Sequence, residues 1–327
     1  MECIDKRKRP ASSVSSLDAM EEEIESQLDD LPRFARQLRA HNHYRGSDPS
    51  DMVFTGAGDS LASSLFAAYL SNGKARAYDP YELQLCPNLI RQKILFLASV
   101  SGRTRANILL ARRAKRLAKK RVAVTADKQS PLAKECDDTI CLSYRSTGVL
   151  TSGTVSFTTS LLALASTVAK LPTLTNLPNI GVRAREWAQH IKTFPNEGFI
   201  FSGSGIGYAL SAYGAFKIHE VPGLSADYLQ TEQFGHSKLF SVKKTDNIVC
   251  IAALNDQKTR QLSTSLSKNG FRSQLLNLNA EDSIIAALQA AFCLQHLALS
   301  LARRRGLAEC AFLLDANRLR LSSRLIY

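Results

Sequence analysis

The sequence predicts an α/β protein with two doubly wound parallel sheets. Three observations carry this expectation. Short apolar strands alternate with helices along most of the 327 residues, a strand–Gly-x-Gly–helix unit at 52–70 returns at 199–220, and a proline-rich break at 172–178 separates the two. A chain of this length is expected to divide, since domains usually hold ~100–200 residues. The expected division is a disordered N-terminus over 1–16, a first domain over 17–172 and a second over 180–327 with a basic tail. A composition 45 % hydrophobic and 22 % charged is enough for a sizeable core in each.

Each element has its own signal. Residues 1–16 are polar, serine-rich and aperiodic. Residues 17–41 read as helix, interrupted before Pro32. An apolar strand at 52–55 ends at Gly56-Ala-Gly58, and a helix bearing Leu61, Leu65, Ala68 and Tyr69 follows. The run 93–98 is too apolar for a strand with one wet face, so it is expected at the centre of a parallel sheet. It gives way to SVSGRT at 99–104 and a basic helix over 103–121; strands at 121–125 and 139–142 and an apolar helix at 154–171 complete the first half. After a helix at 182–192, strands are expected at 198–202, 247–253 and 273–278, with a closing helix at 283–303.

The loop at 99–104 is the strongest chemical signal. It joins an apolar strand to a helix N-terminus, where unpaired N–H groups and the helix dipole favour an anion. Ser99, Ser101 and Thr104 add hydroxyl donors, and Gly102 lets backbone come close to a ligand. A helix cap needs one hydroxyl, not three around a glycine. The loop is therefore expected to hold a phosphate. The turn Gly56-Ala-Gly58-Asp59-Ser60 lacks the third glycine and downstream acid of a dinucleotide site, and nothing matches GxxxxGK[ST].

Charge and cysteines set further limits. The formal net charge is +13, densest over 103–121, where apolar residues at 106, 109, 110, 114 and 117 keep helical spacing. No aromatics interleave these arginines and lysines, so they read as a solvated face that draws in small anions rather than a nucleic-acid reader. The seven cysteines are scattered, with no CxxC pair, and are expected as buried free thiols. His41 and His43 have no metal spacing, and no metal is expected. No uninterrupted run of ~18 apolar residues occurs, and the N-terminus lacks a signal peptide's apolar stretch, so no membrane role and a cytoplasmic location are expected.

Together, GxGxS at 56–60, SxSGxT at 99–104 and GVLTSGTVSFTTSLLAL at 148–164 resemble the SIS (sugar isomerase) domain, a flavodoxin-like fold. YGAFKIHEV at 213–221, Ala226-Asp-Tyr and EQFGH at 232–236 are similar to the isomerase module of glucosamine-6-phosphate synthase, and MEEEIESQ at 20–27 to its opening helix. The resemblance covers roughly 17–327 and implies tandem SIS domains. It places Gly56, Gly58, Ser60, Ser99, Ser101, Gly102, Thr104 and Ser152 against a sugar phosphate. Asp59 enters as a pocket-lining residue.

Aldose–ketose isomerisation needs an acid to open the ring, a base to move a proton between C1 and C2, and support for the enediolate. The resemblance implies Glu220 as base, His236 as the ring-opening group reaching a neighbouring subunit's site, and hence a homodimer with shared sites. Lys217 lies one helical turn before Glu220, so both can face one pocket, and it matches a family lysine that can steady oxyanion charge. Partial burial is expected to raise the pKa of Glu220. His219 is expected to face elsewhere. No cofactor is implied.

The tail departs from the family pattern: serine stands about where the synthases carry an imine-forming lysine, and no glutaminase module is present in these residues. This weakens synthase chemistry and leaves isomerase or deaminase chemistry, with a phosphosugar isomerase acting on a hexose 6-phosphate as the preferred expectation. An amino-sugar-phosphate deaminase or deglycase, a synthase-type isomerase subunit and a non-catalytic sugar-phosphate-binding regulator stay open as alternatives.

Overall fold

In a doubly wound fold each apolar strand is buried on both faces by helices, and this decides how the chain is laid out. The structure is a computed structural model and describes residues 4–5, 14–41, 44, 46–191, 193–194 and 197–327. After β1 (Ile4–Asp5) and α1 (Ser16–His41), the first half runs β2 (Met52–Gly56), α2 (Asp59–Leu70), β3 (Arg76–Tyr78), α3 (Pro80–Leu85) and β4 (Ile94–Ala98). It continues with α4 (Arg105–Ala114), β5 (Lys120–Thr125), α5 (Pro131–Glu135), β6 (Asp138–Cys141), β7 (Tyr144–Arg145) and α6 (Val155–Val168). Helix α7 (Leu177–His190) then leads to β8 (Phe199–Gly203), α8 (Ile206–Glu220), β9 (Ala226–Gln230) and α9 (Thr231–His236). The chain finishes with β10 (Asn247–Ala252), α10 (Gln257–Lys268), β11 (Ser273–Asn277), α11 (Ser283–Arg304), α12 (Ala311–Leu314) and α13 (Ala316–Ile326).

Two parallel sheets result, with orders β3-β2-β4-β5-β6 and β11-β10-β8-β9. Counted within its own half, the first is the flavodoxin-like 2-1-3-4-5 and the second the same winding without a fifth strand. The turns repeat as well: Gly58 caps α2 at φ 57°, ψ −130° and Gly205 caps α8 at φ 55°, ψ −125°. The winding reverses between β2 and β4 in one sheet and between β8 and β10 in the other. One apolar core runs through both halves, from Met20 and Phe54 to Leu294, with the Phe157 and Tyr213 rings stacked 3.6 Å apart where α6 meets α8.

Several expectations are corrected. Helix α1 runs unbroken through Pro32, because Ile24, Leu31, Phe34 and Ala35 bury one face of it and offset the lost hydrogen bond. The basic helix is shorter than 103–121: it spans Arg105–Ala114, and Lys120 already pairs with Ile94 in the sheet. Ile4–Asp5 forms a parallel strand beside Tyr144–Arg145 where disorder was expected; most of the rest of 1–16, and His43, lie outside the described residues. Cys141 is disulfide-bonded, which overturns the free-thiol reading at that position; Cys250, Cys293 and Cys310 are free and buried, whereas Cys86 is free but exposed and Cys136 free and half-buried, against the expected burial. Among the described residues one helix, α11, is long and apolar enough to cross a membrane, but 83 % of its apolar window is buried inside the protein. The basic tail is helical, and α13 buries no residue.

Candidate functional site

Parallel sheets place their strand-to-helix loops at the carboxyl ends of the strands, and the reversal point leaves a crevice there. At the first reversal point Gly56 pairs with Ala98, so the Gly56–Ser60 turn and the 99–104 loop start at neighbouring strand ends. The three hydroxyls of the loop do different things. Ser99 Oγ pairs with Thr104 Oγ1 at 3.0 Å, Ser101 Oγ accepts the Arg103 N–H at 3.2 Å and is exposed, and Thr104 makes no side-chain cap at α4. The first turn of α4 thus keeps its N-terminal donors without a hydroxyl cap from Thr104. Gly102 has a reason that the spacing does not show. It sits at φ 61°, and a Cβ there would lie 2.2 Å from Oγ of Ser130, the residue that caps α5. The glycine is needed here for packing.

Next to this turn the two halves meet through charge. Lys217 is fully buried, and its ammonium spends all three donors within the protein: on Asp59 Oδ2 at 2.8 Å, Glu220 Oε2 at 2.6 Å and Ser152 Oγ at 2.5 Å. Ser152 in turn donates to Glu220 Oε2 at 2.6 Å. Asp59 opens α2 in the first half, Ser152 lies in the loop before α6, and Lys217 and Glu220 end α8 in the second half. The side chains of Asp59 and Glu220 are 18 % and 40 % exposed, so the cluster opens toward solvent through Glu220. Asp59 Oδ1 is buried and has no hydrogen-bond partner.

The electrostatics reverse one expectation. Burial pushes Glu220 up, but the adjacent Lys217 ammonium and the Ser152 hydroxyl outweigh it and hold the carboxyl below its usual value, not above it. Asp59 is the raised one, pushed to about 7 by burial and by the Glu220 charge against the pull of Lys217. Burial alone would drive Lys217 down, yet the two carboxylates keep it firmly charged.

A buried polar chain fixes the loop that carries Ser152. Tyr213 Oη donates to the Gly153 carbonyl at 2.9 Å and accepts from Gln295 Nε2 at 3.0 Å; Gln295 Oε1 accepts from Gln27, whose Oε1 accepts from Thr158 at 2.7 Å. At Gly153 a Cβ would lie 2.5 Å from Asp59 Oδ2, so only glycine admits the carboxylate here. Tyr213 and Gln27 fall inside the 213–221 and 20–27 motifs but receive no role from the sequence, and Gln295 has no signal there, because all three are ordinary residues on helix faces.

One predicted residue, His236, makes no bond to this cluster within one chain. His236 is exposed on α9, and its bond is to Glu232 at 3.3 Å beside Lys258. His219 binds the Leu224 carbonyl at 3.1 Å. Ser60 is buried in the first turn of α2, its carbonyl accepting from Ser63 and Ser64.

Residues 47–170 match the SIS domain. That SIS segment holds the Gly56–Ser60 turn, the 99–104 loop and Ser152, whereas Lys217 and Glu220 lie outside it. Solved structures of similar fold span nearly the whole chain. One is a glucosamine-6-phosphate deaminase from Thermotoga maritima, with TM-score 0.72 and 22 % identity over 88 % of this chain and 95 % of that one. Another is the C-terminal domain of glucosamine-fructose-6-phosphate aminotransferase from Francisella tularensis, with TM-score 0.70 and 20 % identity over 88 % and 96 %. A third is tagatose-6-phosphate ketose/aldose isomerase from Escherichia coli, with TM-score 0.68 and 17 % identity over 91 % and 95 %. At these identities the likeness is one of fold. No curated protein matches the chain in sequence.

Proposed function

We propose that this protein is a phosphosugar isomerase that interconverts the ketose and aldose forms of a hexose 6-phosphate of the fructose 6-phosphate type, through an enediol, in the cytoplasm. The observation that supports this best is the meeting of Glu220, Lys217 and Ser152 next to the SIS segment's reversal point. In this reading 17–172 and 180–327 are two SIS-type domains. The phosphate binds the uncapped start of α4 through Ser99, Ser101, Gly102 and Thr104, with Gly56, Gly58, Ser60 and Ser152 lining the crevice.

Glu220 acts as the base. Its Oε2 is held by Lys217 and Ser152 and the side chain is partly exposed, so its second oxygen can carry the proton between C1 and C2. Lys217, its three donors spent inside the protein, supports negative charge on the enediolate through its field rather than by contact. His236, lying away from the cluster in its own chain, opens the sugar ring in the partner's site of a homodimer. The chemistry needs no cofactor.

One observation favours a second reading, deamination of an amino-sugar phosphate. Two carboxylates share one ammonium, and a substrate ammonium would complement the surplus charge. Incubation with fructose 6-phosphate or glucosamine 6-phosphate in deuterated water, followed by NMR, separates the two. Deuterium at C2 of an aldose phosphate, lost in Glu220→Gln, supports the isomerase; ammonia release moves the assignment to a deaminase. Binding without either reaction refutes both and leaves a sugar-phosphate-binding regulator.

A further inference from the structure

Asp59 has no place in the mechanism above, yet it is the most constrained acid in the site. It begins α2 directly after the Gly58 turn, with Oδ2 on Lys217 at 2.8 Å and Oδ1 buried without a partner. Gly153 has no side chain at the point where a Cβ would strike that carboxylate. Stability alone does not call for this arrangement, since an unpartnered buried carboxylate oxygen is costly.

The charges near Asp59 can be counted. From α8 come Lys217, Glu220 and the Tyr213 phenol; from the loop before α6 come the Ser152 hydroxyl and Gly153; helix α6 itself carries no charged residue. One ammonium therefore answers two carboxylates, and the two are not alike. Glu220 receives hydrogen bonds from Lys217 and Ser152 and is 40 % exposed, whereas Asp59 receives one from Lys217 and is 18 % exposed. A proton shared by the pair costs least on the drier, less bonded carboxyl.

We propose that Asp59 is the proton-holding carboxyl of this site, a positioning residue that leaves Glu220 ionised and sets its base strength through the shared Lys217. With Asp59 protonated, Lys217 belongs to Glu220 and the trio is neutral. When Asp59 ionises, Lys217 divides its charge, the trio carries one negative charge, and Glu220 becomes the stronger base. Burial raises Asp59 to about 7, so the change falls near neutral pH. The effect on Glu220 as a base rests on the isomerase reading; the location of the proton does not.

Carboxyl NMR of the full-length protein, labelled with 13C-aspartate, tests the two separately. One aspartate is expected to titrate near pH 7 in the free protein, and its signal should be missing in Asp59→Asn. In Glu220→Gln, which removes the competing charge and keeps the shape, that midpoint should fall by about 1–3 pH units. An aspartate set that titrates wholly below pH ~5 overturns the inference, as does a midpoint unmoved by Glu220→Gln; the latter measurement decides if Asp59→Asn fails to fold. If the protein turns over a sugar phosphate, kcat/KM should rise with pH through the same midpoint, and that limb should be lost in Asp59→Asn; a limb that persists overturns the link to Glu220. The expected titration without turnover would sink the isomerase reading and uphold the proton's location.

Discussion

Replacing Glu23 by glutamine should stabilise the protein at pH 8 and leave it nearly unchanged at pH 4.5. Glu23 lies on α1, is 7 % exposed, and its Oε2 accepts the Thr154 hydroxyl at 2.9 Å. Burial pushes its carboxyl from 4.5 to about 7, against the weaker pull of hydrogen bonds from Thr154 and Thr147. The folded chain therefore holds this proton more tightly than the unfolded chain. The contribution to stability is fully present below about 4.5, declines as pH rises and is lost beyond about 7. The gap corresponds to ~3 kcal/mol at about 1.4 kcal/mol per pH unit, an upper bound that relaxation reduces to roughly 1–3 kcal/mol. Glutamine keeps the volume and an acceptor for Thr154 but does not titrate. Urea unfolding of both proteins at a series of pH values gives the difference directly, and other titrating groups cancel at each pH. A difference that stays flat from pH 5 to 8, or that turns against the variant, would refute the reasoning.

Three further outcomes are expected. Lys217→Met removes the ammonium between two carboxylates and should cost about 3–5 kcal/mol at pH 8, with part regained near pH 5 as the carboxyls left without their cation take up protons; unfolding at the two pH values measures both. Gly102→Ala should lower the thermal midpoint and weaken inorganic phosphate binding by calorimetry, because the added Cβ meets Ser130 at 2.2 Å in a left-handed backbone. His296 is held down to about 4 by burial and by the Arg185 charge, so it resists protonation in the fold; its contribution to stability should fade as pH drops from about 6.5 to about 4. His296→Met should flatten that acid limb in urea titrations.

The parts of the fold legible in the sequence are those decided by local burial. Strands β2, β4, β8 and β10 are buried at every residue and appear as apolar runs. Strand β3 has three residues and opens on an exposed arginine, and β9 has one buried residue of five, so neither gives an apolar run or a clean alternation. Pro32 misled because a buried helix face outweighs a local breaker. In the site, the spacing of Lys217 and Glu220 foretold their meeting on one helix face. It did not foretell Asp59, 158 residues away in sequence, which arrives only through the packing of α2 on α8. The pKa of Glu220 went the other way for the same reason: its neighbours, not its own burial, decide the sign.

The buried Lys217 also bears on whether either half of the chain can exist alone. Severed near 172–178, the first fragment would keep Asp59 and Ser152 without their cation, and the second would keep Lys217 with one of its two anions. Each fragment would have to solvate a group that the whole molecule keeps dry, and that burden comes on top of the apolar face left bare. The charged trio is thus a mutual dependency between the halves: a solvation debt that each settles for the other only when they are joined.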